Sequence, residues 1–266
     1  MQVNATNRQS KAELFQEIER QLRYGSRTAA QLVSALGISQ STLSRTIQGL
    51  SRQVTSFRVT GVRTPMYGLL RQLPMGLSAR QRIYRHMREG NIAPFADVEF
   101  LAGGSTVERI GEVTRLYEGL PPYMLFAAPS GFLGRQLAHE AASNQPFPTS
   151  LKDWNDDHRM AYLFTQGLNL PGNLIFGGAP LERELAFLAV KPTPAEGRID
   201  CYVGMATALR GAAYGSSAGG EQPKFLWLTS DTGHVIVKFA KVGSRMAELL
   251  PLEHLALRSL AEVGVP

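Results

Sequence analysis

The stretch YGSSAGGEQPKFLWLTSDTGHVIVKFA, Tyr214–Ala240, has the residue types needed to hold a phosphate group. A Gly/Ser loop leads into a strand predicted over Phe225–Thr229, and Ser230-Asp231-Thr232-Gly233 turns the chain into a second strand over His234–Ala240. Alternation in the second strand puts Val235, Val237 and Phe239 on one side and Ile236 and Lys238 on the other. A lysine among apolar strand residues must find a charge partner or shift its pKa. A glycine loop whose backbone N–H groups face an anion, above such a lysine, would cradle a phosphate. A helix predicted over Pro251–Val263 turns Leu252, Leu255, Ala256 and Leu260 inward and puts Glu253 in its first turn. There Glu253 is either a partner for Lys238 or ordinary complementation of the helix dipole.

Other chemistries compete for the same loop. It is not a Walker A loop, because Glu221 follows Gly220 where Lys-Ser/Thr would stand, and no G-x-G-x-x-G is present. Gly215-Ser216-Ser217-Ala218-Gly219 matches the G-x-S-x-G of hydrolases, but that elbow requires a helix next, and Pro223 and a strand follow. A plain Gly-rich hairpin without a ligand remains open. The five histidines lack ligand spacing, and a single cysteine excludes an internal disulfide or a multi-cysteine metal site. Cys201 lies in an apolar run that reads as a core strand, and Asp153, Asp156 and Asp157 around Trp154 read as a solvated turn and cap. No metal ligands are assigned.

A second chemistry is written in the charge. Residues 1–73 hold ten Arg/Lys against three Glu, a balance of +7, while the rest of the chain balances at −1. Between Glu19 and Glu89 there are twelve arginines and no acidic residue. Solvated surfaces mix signs, so such a window points to a polyanion, with a merely basic surface as the alternative. The elements beneath it fit. Leu14, Ile18 and Leu22 stripe a helix over Ser10–Tyr24, and Thr28 caps a helix over Ala29–Leu36 that Gly37 closes. Ser39 caps a third helix over Gln40–Leu50, anchored by Leu43, Ile47 and Leu50, and Thr55–Thr60 with Met66–Leu70 form a hairpin.

This order is that of a winged helix-turn-helix. It leaves Gln40, Ser41, Ser44, Arg45 and Gln48 outward on the third helix, with Arg58 and Arg63 in the hairpin, as candidate contacts to duplex DNA. A helical hairpin used only for packing is the alternative.

The scaffold as a whole reads as α+β. Of the 266 residues, 44% are hydrophobic and 19% charged, which excludes wholesale disorder. No apolar run is long enough to span a bilayer, and the start lacks the apolar core of a signal peptide, so the expected location is cytoplasmic without membrane attachment. In the middle, Ala79–Glu89 reads as a basic helix, Asp97–Leu101 and Thr106–Tyr117 as strands joined at Gly103-Gly104, and Met160–Gln166 as a helix.

These residues resemble a known family. SSAGGEQPKF followed by VIVKFA, with LYEGLPPY, PSGFLGRQLA, KDWNDDH and LPGNLIFGG upstream, is similar to the HipA-like serine/threonine kinases of type II toxin–antitoxin systems. The order of motifs looks like the branch with its own N-terminal helix-turn-helix (the YjjJ or HipH type). Ala128-Pro129-Ser130-Gly131 departs from the Arg-Pro-Gln-Gly expected there. The resemblance implies three parts: a winged helix-turn-helix over residues 1–75, a HipA-type N-terminal subdomain over 76–190, and the β-rich N-lobe of a kinase-like fold over 191–266. It implies that Ser216, Ser217, Ala218, Gly219, Gly220, Glu221 and Gln222 cover a nucleotide. Ser217 would be an inhibitory phosphorylation site, Lys238 would contact ATP phosphates, and Glu253 would pair with it. ATP and Mg²⁺ are the implied cofactors; duplex DNA, an antitoxin or protein substrate, and a second copy of the chain are the implied partners. Residues 239–266 contain neither Asp nor Asn, so the catalytic and metal-binding residues of such a kinase are missing there. The chain is therefore expected to be the front part of such a protein, inactive alone. A non-enzymatic regulator, joining a winged helix-turn-helix to a ligand- or partner-binding domain, is the competing expectation.

Overall fold

A computed structural model describes residues 11–87, 91–168, 170–188, 192–208, 223–231 and 233–265. The chain forms two compact units, Met1–Leu125 and Phe126–Pro266, in an α+β arrangement with antiparallel sheets.

In the first unit, α1 (Lys11–Leu22) buries the predicted stripe of Leu14, Ile18 and Leu22. After a two-residue strand, β1 (Arg27–Thr28), come α2 (Ala29–Leu36) and α3 (Gln40–Gly49). Thr28 caps α2 as expected, and Gln31 completes the cap: the Gln31 N–H donates to Thr28 Oγ1 at 3.3 Å, while the Thr28 N–H donates to Gln31 Oε1 at 2.8 Å. Gly37 ends α2 at φ 63°, a left-handed conformation that side chains disfavour, and Ser39 caps α3 by accepting from the Thr42 N–H. Leu32, Leu43, Leu50 and Val54 join the α1 stripe in one apolar core. Strands β2 (Val54–Phe57) and β3 (Met66–Leu69) then pair antiparallel, and β1 adds to the far side of β3.

A second sheet follows in the same unit. Strands β4 (Arg80–His86), β5 (Ile92–Phe100), β6 (Thr106–Ile110) and β7 (Val113–Tyr117) lie antiparallel in the order β7-β6-β5-β4. Two expectations are corrected here. The basic helix expected over Ala79–Glu89 is a strand over Arg80–His86, where Ile83 alone is fully buried and the ladder to β5 supplies the pairing. Its alternating arginines instead meet the acids of β5 across the ladder. Thr106–Tyr117 is two strands, because the chain reverses at Gly111, φ 56°.

The two sheets meet closely. The Arg71 N–H donates to Phe100 O at 2.9 Å, the Ala102 N–H to Leu69 O at 2.8 Å, and the Thr60 N–H to Thr114 O at 2.9 Å. Gly68 makes the approach possible, since a Cβ there would lie 2.7 Å from Leu101 Cδ1. Between the sheets sits Glu99, 7% exposed. Its Oε2 accepts from Thr55 Oγ1 and from Arg109 Nη1, both at 2.7 Å, and its Oε1 accepts from Arg80 Nε at 3.0 Å.

The second unit opens after α4 (Pro122–Ala127) with α5 (Gly131–Asn144) and α6 (Asp156–Thr165). Asn155 caps α6, accepting from the His158 N–H, so the Asp-rich turn around Trp154 is indeed a cap, though made by asparagine. Trp154 is buried and stacks on Phe147 at 5.1 Å. β8 (Leu174–Phe176) leads to α7 (Gly178–Leu188) and α8 (Arg198–Ala208). Cys201 lies exposed on α8, correcting the core-strand expectation: a helical turn separates apolar neighbours that strand alternation would have put on one face. The hairpin of β9 (Lys224–Thr229) and β10 (Gly233–Lys238) follows, then α9 (Arg245–Glu262). No described helix is long and apolar enough to cross a membrane.

Glu99 dictates an acid-sensitive clamp. Burial pushes its carboxyl up, but Thr55, Arg109 and Arg80 more than offset this and hold it below the ordinary carboxylate range. Its stabilisation is present above the unfolded carboxyl value, about 4.3, and is lost as pH falls through the lower folded value. Glu99→Ala should cost about 2 kcal/mol at neutral pH, because its arginines can rehydrate but Thr55 loses its acceptor. Urea melts of the first unit's signal at neutral and acidic pH should show the variant's deficit shrinking on acidification.

Candidate functional site

The first candidate surface belongs to α3 and the β2–β3 hairpin. Leu43 and Thr46 face inward, which sets the opposite face of α3 outward by the 3.6-residue period. Gln40, Ser41, Ser44, Arg45 and Gln48 are all exposed on it. Arg45 lies back along the helix, with Nε donating to Ser41 O at 3.3 Å. Arg58 and Arg63 are exposed beyond β2, on either side of Gly61. The structure therefore brings the seven residues singled out here onto the solvent side of one unit.

The acid-free window does not stay acid-free in space. Arg20 pairs with Glu17, Arg80 with Glu99, and Arg82 with Asp97, whose two oxygens accept from Arg82 at 2.7 and 3.2 Å. Arg85 lies 5.3 Å from the centre of the Phe95 ring. Arg45, Arg52, Arg58 and Arg63 make no ion pair among the described residues. α3, the turn after it and the hairpin loop thus carry four arginines whose charge no carboxylate neutralises among the described residues. Glu99 and Asp97 were missed as organisers of this surface. Their signal was a carboxylate beside Val98 and Phe100 in a run that otherwise reads as core.

The second candidate lies on the β9–β10 hairpin. Residues 209–222 lie outside the described residues, so Ser216, Ser217, Ala218, Gly219, Gly220, Glu221 and Gln222 carry no geometry here. The hairpin itself pairs Lys238 with Lys224 and Gly233 with Thr229 in register. Phe225 is buried, with Tyr202 of α8 edge-on to it and to Trp227. Thr193 adds a parallel bridge beside Thr229, and Arg198 pairs with Asp231 at 2.7 Å. Ile236 and Lys238 are exposed and Val235, Val237 and Phe239 partly buried, the alternation expected of them.

Lys238 Nζ donates to Glu253 Oε1. The helix start is corrected, however: Ser244 caps α9, accepting from the Ala247 N–H, seven residues before Pro251, which lies inside the helix. Glu253 is therefore past the first turn, where the dipole effect has faded, and Glu248 occupies that turn. Leu252, Leu255, Ala256 and Leu260, expected on an inner face, are exposed on α9. Among the described residues no three His, Cys, Asp or Glu side chains are grouped to hold a metal ion.

Residues 77–185 match the YjjJ-like toxin middle domain. The chain is 29% identical over 252 residues to Toxin YjjJ of Escherichia coli (strain K12), an alignment covering 91% of this chain and 56% of that protein. Both matches support the YjjJ toxin family. The chain spans little more than half the length of this curated relative. No solved structure matches it.

Polyanion affinity should follow the spatial charge rather than the sequence window. On a heparin column, Arg58→Ala and Arg63→Ala should each elute at clearly lower salt, while replacing Arg82 and Asp97 together by Ala, which removes one charge of each sign, should leave elution almost unchanged.

Proposed function

We propose that this chain is the DNA-binding front part of a YjjJ-like toxin, built as a winged helix-turn-helix joined to a HipA-like kinase. The observation that carries the reading is the exposed polar face of α3 beside Arg45, Arg52, Arg58 and Arg63, four cations that no carboxylate neutralises among the described residues. Under it α3 enters the major groove of duplex DNA. Arg45, Gln40 and Gln48 meet base edges, Ser41 and Ser44 meet bases or phosphates, and Arg58 and Arg63 of the wing hold the backbone. The proposed boundary near residue 75 is one of role, since residues on both sides belong to the same compact unit. Residues 76–190 then serve as the packing subdomain and 191–266 as the kinase-like N-lobe.

For the protein of the relative's full length, the reading assigns ATP-dependent phosphorylation of a protein serine or threonine in a toxin–antitoxin setting. The Lys238–Glu253 pair supports it, because a lysine held by a helix carboxylate, on a hairpin that a Gly/Ser run precedes in the sequence, suits phosphate neutralisation. Within this chain Lys238 would bind phosphate oxygens, Glu253 would orient it, and Ser216–Gln222 would cover the nucleotide, with Ser217 as regulatory phosphorylation site. No three His, Cys, Asp or Glu side chains group together among the described residues, and no step is assigned through Mg²⁺. With no Asp or Asn after Lys238, this chain alone is assigned binding and not turnover.

Binding of the full chain to duplex DNA should weaken steeply with salt, with a log–log slope of about −3 to −4 for some four phosphate contacts. Arg45→Ala should cost about 1–3 kcal/mol and relax preference at one base position. A salt-indifferent affinity, or one untouched by replacing Arg45 and Gln40 together, rejects the DNA reading.

For the nucleotide, ATP should bind with a dissociation constant on the order of millimolar. Amide signals of Gly219 and Gly220 should shift in the parent chain and stay still in Lys238→Met. Equal shifts in both proteins would reject the phosphate cradle.

A further inference from the structure

Strand β2 is held at several points besides its own ladder. Arg80 holds Glu99 through Nε and reaches Ser51 O with Nη2 at 3.1 Å, just before β2. Arg109 holds Glu99 through Nη1 and reaches toward Ser56 O with Nη2 at 3.5 Å, near the end of β2. Thr55, between them, donates directly to the carboxylate. Beyond β2 the chain is pinned again, where the Thr60 N–H donates to Thr114 O and Thr60 Oγ1 accepts from the Thr114 N–H at 2.8 Å. The cations of the wing side flank these anchor points: Arg52 adjoins Ser51, and Arg58 lies between Ser56 and Thr60.

A buried ion cluster is an uneconomical way to stabilise a sheet, since an apolar core of equal volume does as well or better. What it adds is direction. Hydrogen bonds fix the strand's pose to a few tenths of an ångström, where apolar packing tolerates sliding. Glu99 also takes Arg80 and Arg109 out of competition for phosphate, so that non-specific attraction is lowered while the wing is held for one geometry.

We propose that Glu99 is a positioning residue for DNA recognition: by gripping Thr55 directly and Ser51 and Ser56 through Arg80 and Arg109, it presets the wing cations against α3 and thereby favours specific over non-specific duplexes. The inference rests on the DNA-binding reading above. It sets two effects of one carboxylate in opposite directions. Removing its charge frees a positive charge, which raises affinity for any duplex, and releases the wing, which lowers affinity for the chosen one.

The test uses the full chain, a duplex enriched by it from a random-sequence pool, and a mixed-sequence duplex of equal length. Glu99→Gln should lose about five- to tenfold on the enriched duplex, the worth of a buried hydrogen bond, and gain about twofold on the mixed one from its extra charge. Thr55→Val keeps the charge balance. It should lose a similar factor on the enriched duplex, stay unchanged on the mixed one, and recover in Thr55→Ser. Amide exchange at Val54–Phe57 should quicken in Glu99→Gln and Thr55→Val.

If the parent discriminates and both variants keep its ratio of affinities, the positioning role is wrong and DNA binding stands. Equal losses on both duplexes likewise reject positioning, because they report a merely structural residue. A parent chain that binds no duplex at all rejects the DNA reading, and the positioning role with it.

Discussion

A buried carboxylate sets the terms for the first unit. Glu99 lies under two sheets, and taking its charge out of water would be prohibitive without partners. Three donors supply them, one from β2, one from β4 and one from β6, which lie far apart in the chain. Each of the two arginines keeps its outer part near solvent, so their own desolvation cost is limited. The cluster can form in few poses of β2 against β5. The surrounding contacts agree with that pose: Leu101 fits over the bare Cα of Gly68, and Phe57 and Val107 fill the apolar space beside it.

That arrangement also redistributes charge. An arginine contributes to long-range attraction only to the extent that no carboxylate sits beside it, and β5 brings Asp97 and Glu99 against two arginines of β4. The positive field therefore does not follow the acid-free window of the chain. Arginines without a carboxylate partner among the described residues include Arg45, Arg52, Arg58 and Arg63, on α3, the turn after it and the hairpin loop, where Ser39 caps α3 and Thr60 accepts from the Thr114 N–H. Under the proposed DNA-binding reading, free charge beside a capped recognition helix would let base reading and phosphate attraction act together.

The second unit is organised by a different kind of constraint. Its β9–β10 hairpin has two strands, too few to be stable alone, and gains support from Thr193 alongside β9 and from Tyr202 against Phe225 and Trp227. Lys238 at the end of β10 meets Glu253 in the middle of α9, so the strand and the helix are joined by charge. The pair is partly open to water, so its net contribution to stability is small.

Much of this was legible in residue order, and the division follows the range of the forces involved. The helix of Lys11–Leu22, the caps at Thr28 and Ser39, the turn at Gly37, the exposed face of α3 and the alternation around Lys238 all depend on neighbours within a few positions. Helical and strand periodicities, capping and turn chemistry act over that distance, so sequence by itself determined them. It failed where a local pattern was weak and a distant partner strong. Arg80–His86 became a strand because β5 lay ready to pair with it, and α9 began at Arg245 because Ser244 capped it ahead of the proline that seemed a natural start. Tertiary structure alone decided which arginines remain free, since Arg80 and Thr55 meet Glu99 across sequence separations of 19 and 44 residues. Ion pairing depends on distance in space, and order along the chain does not contain that distance.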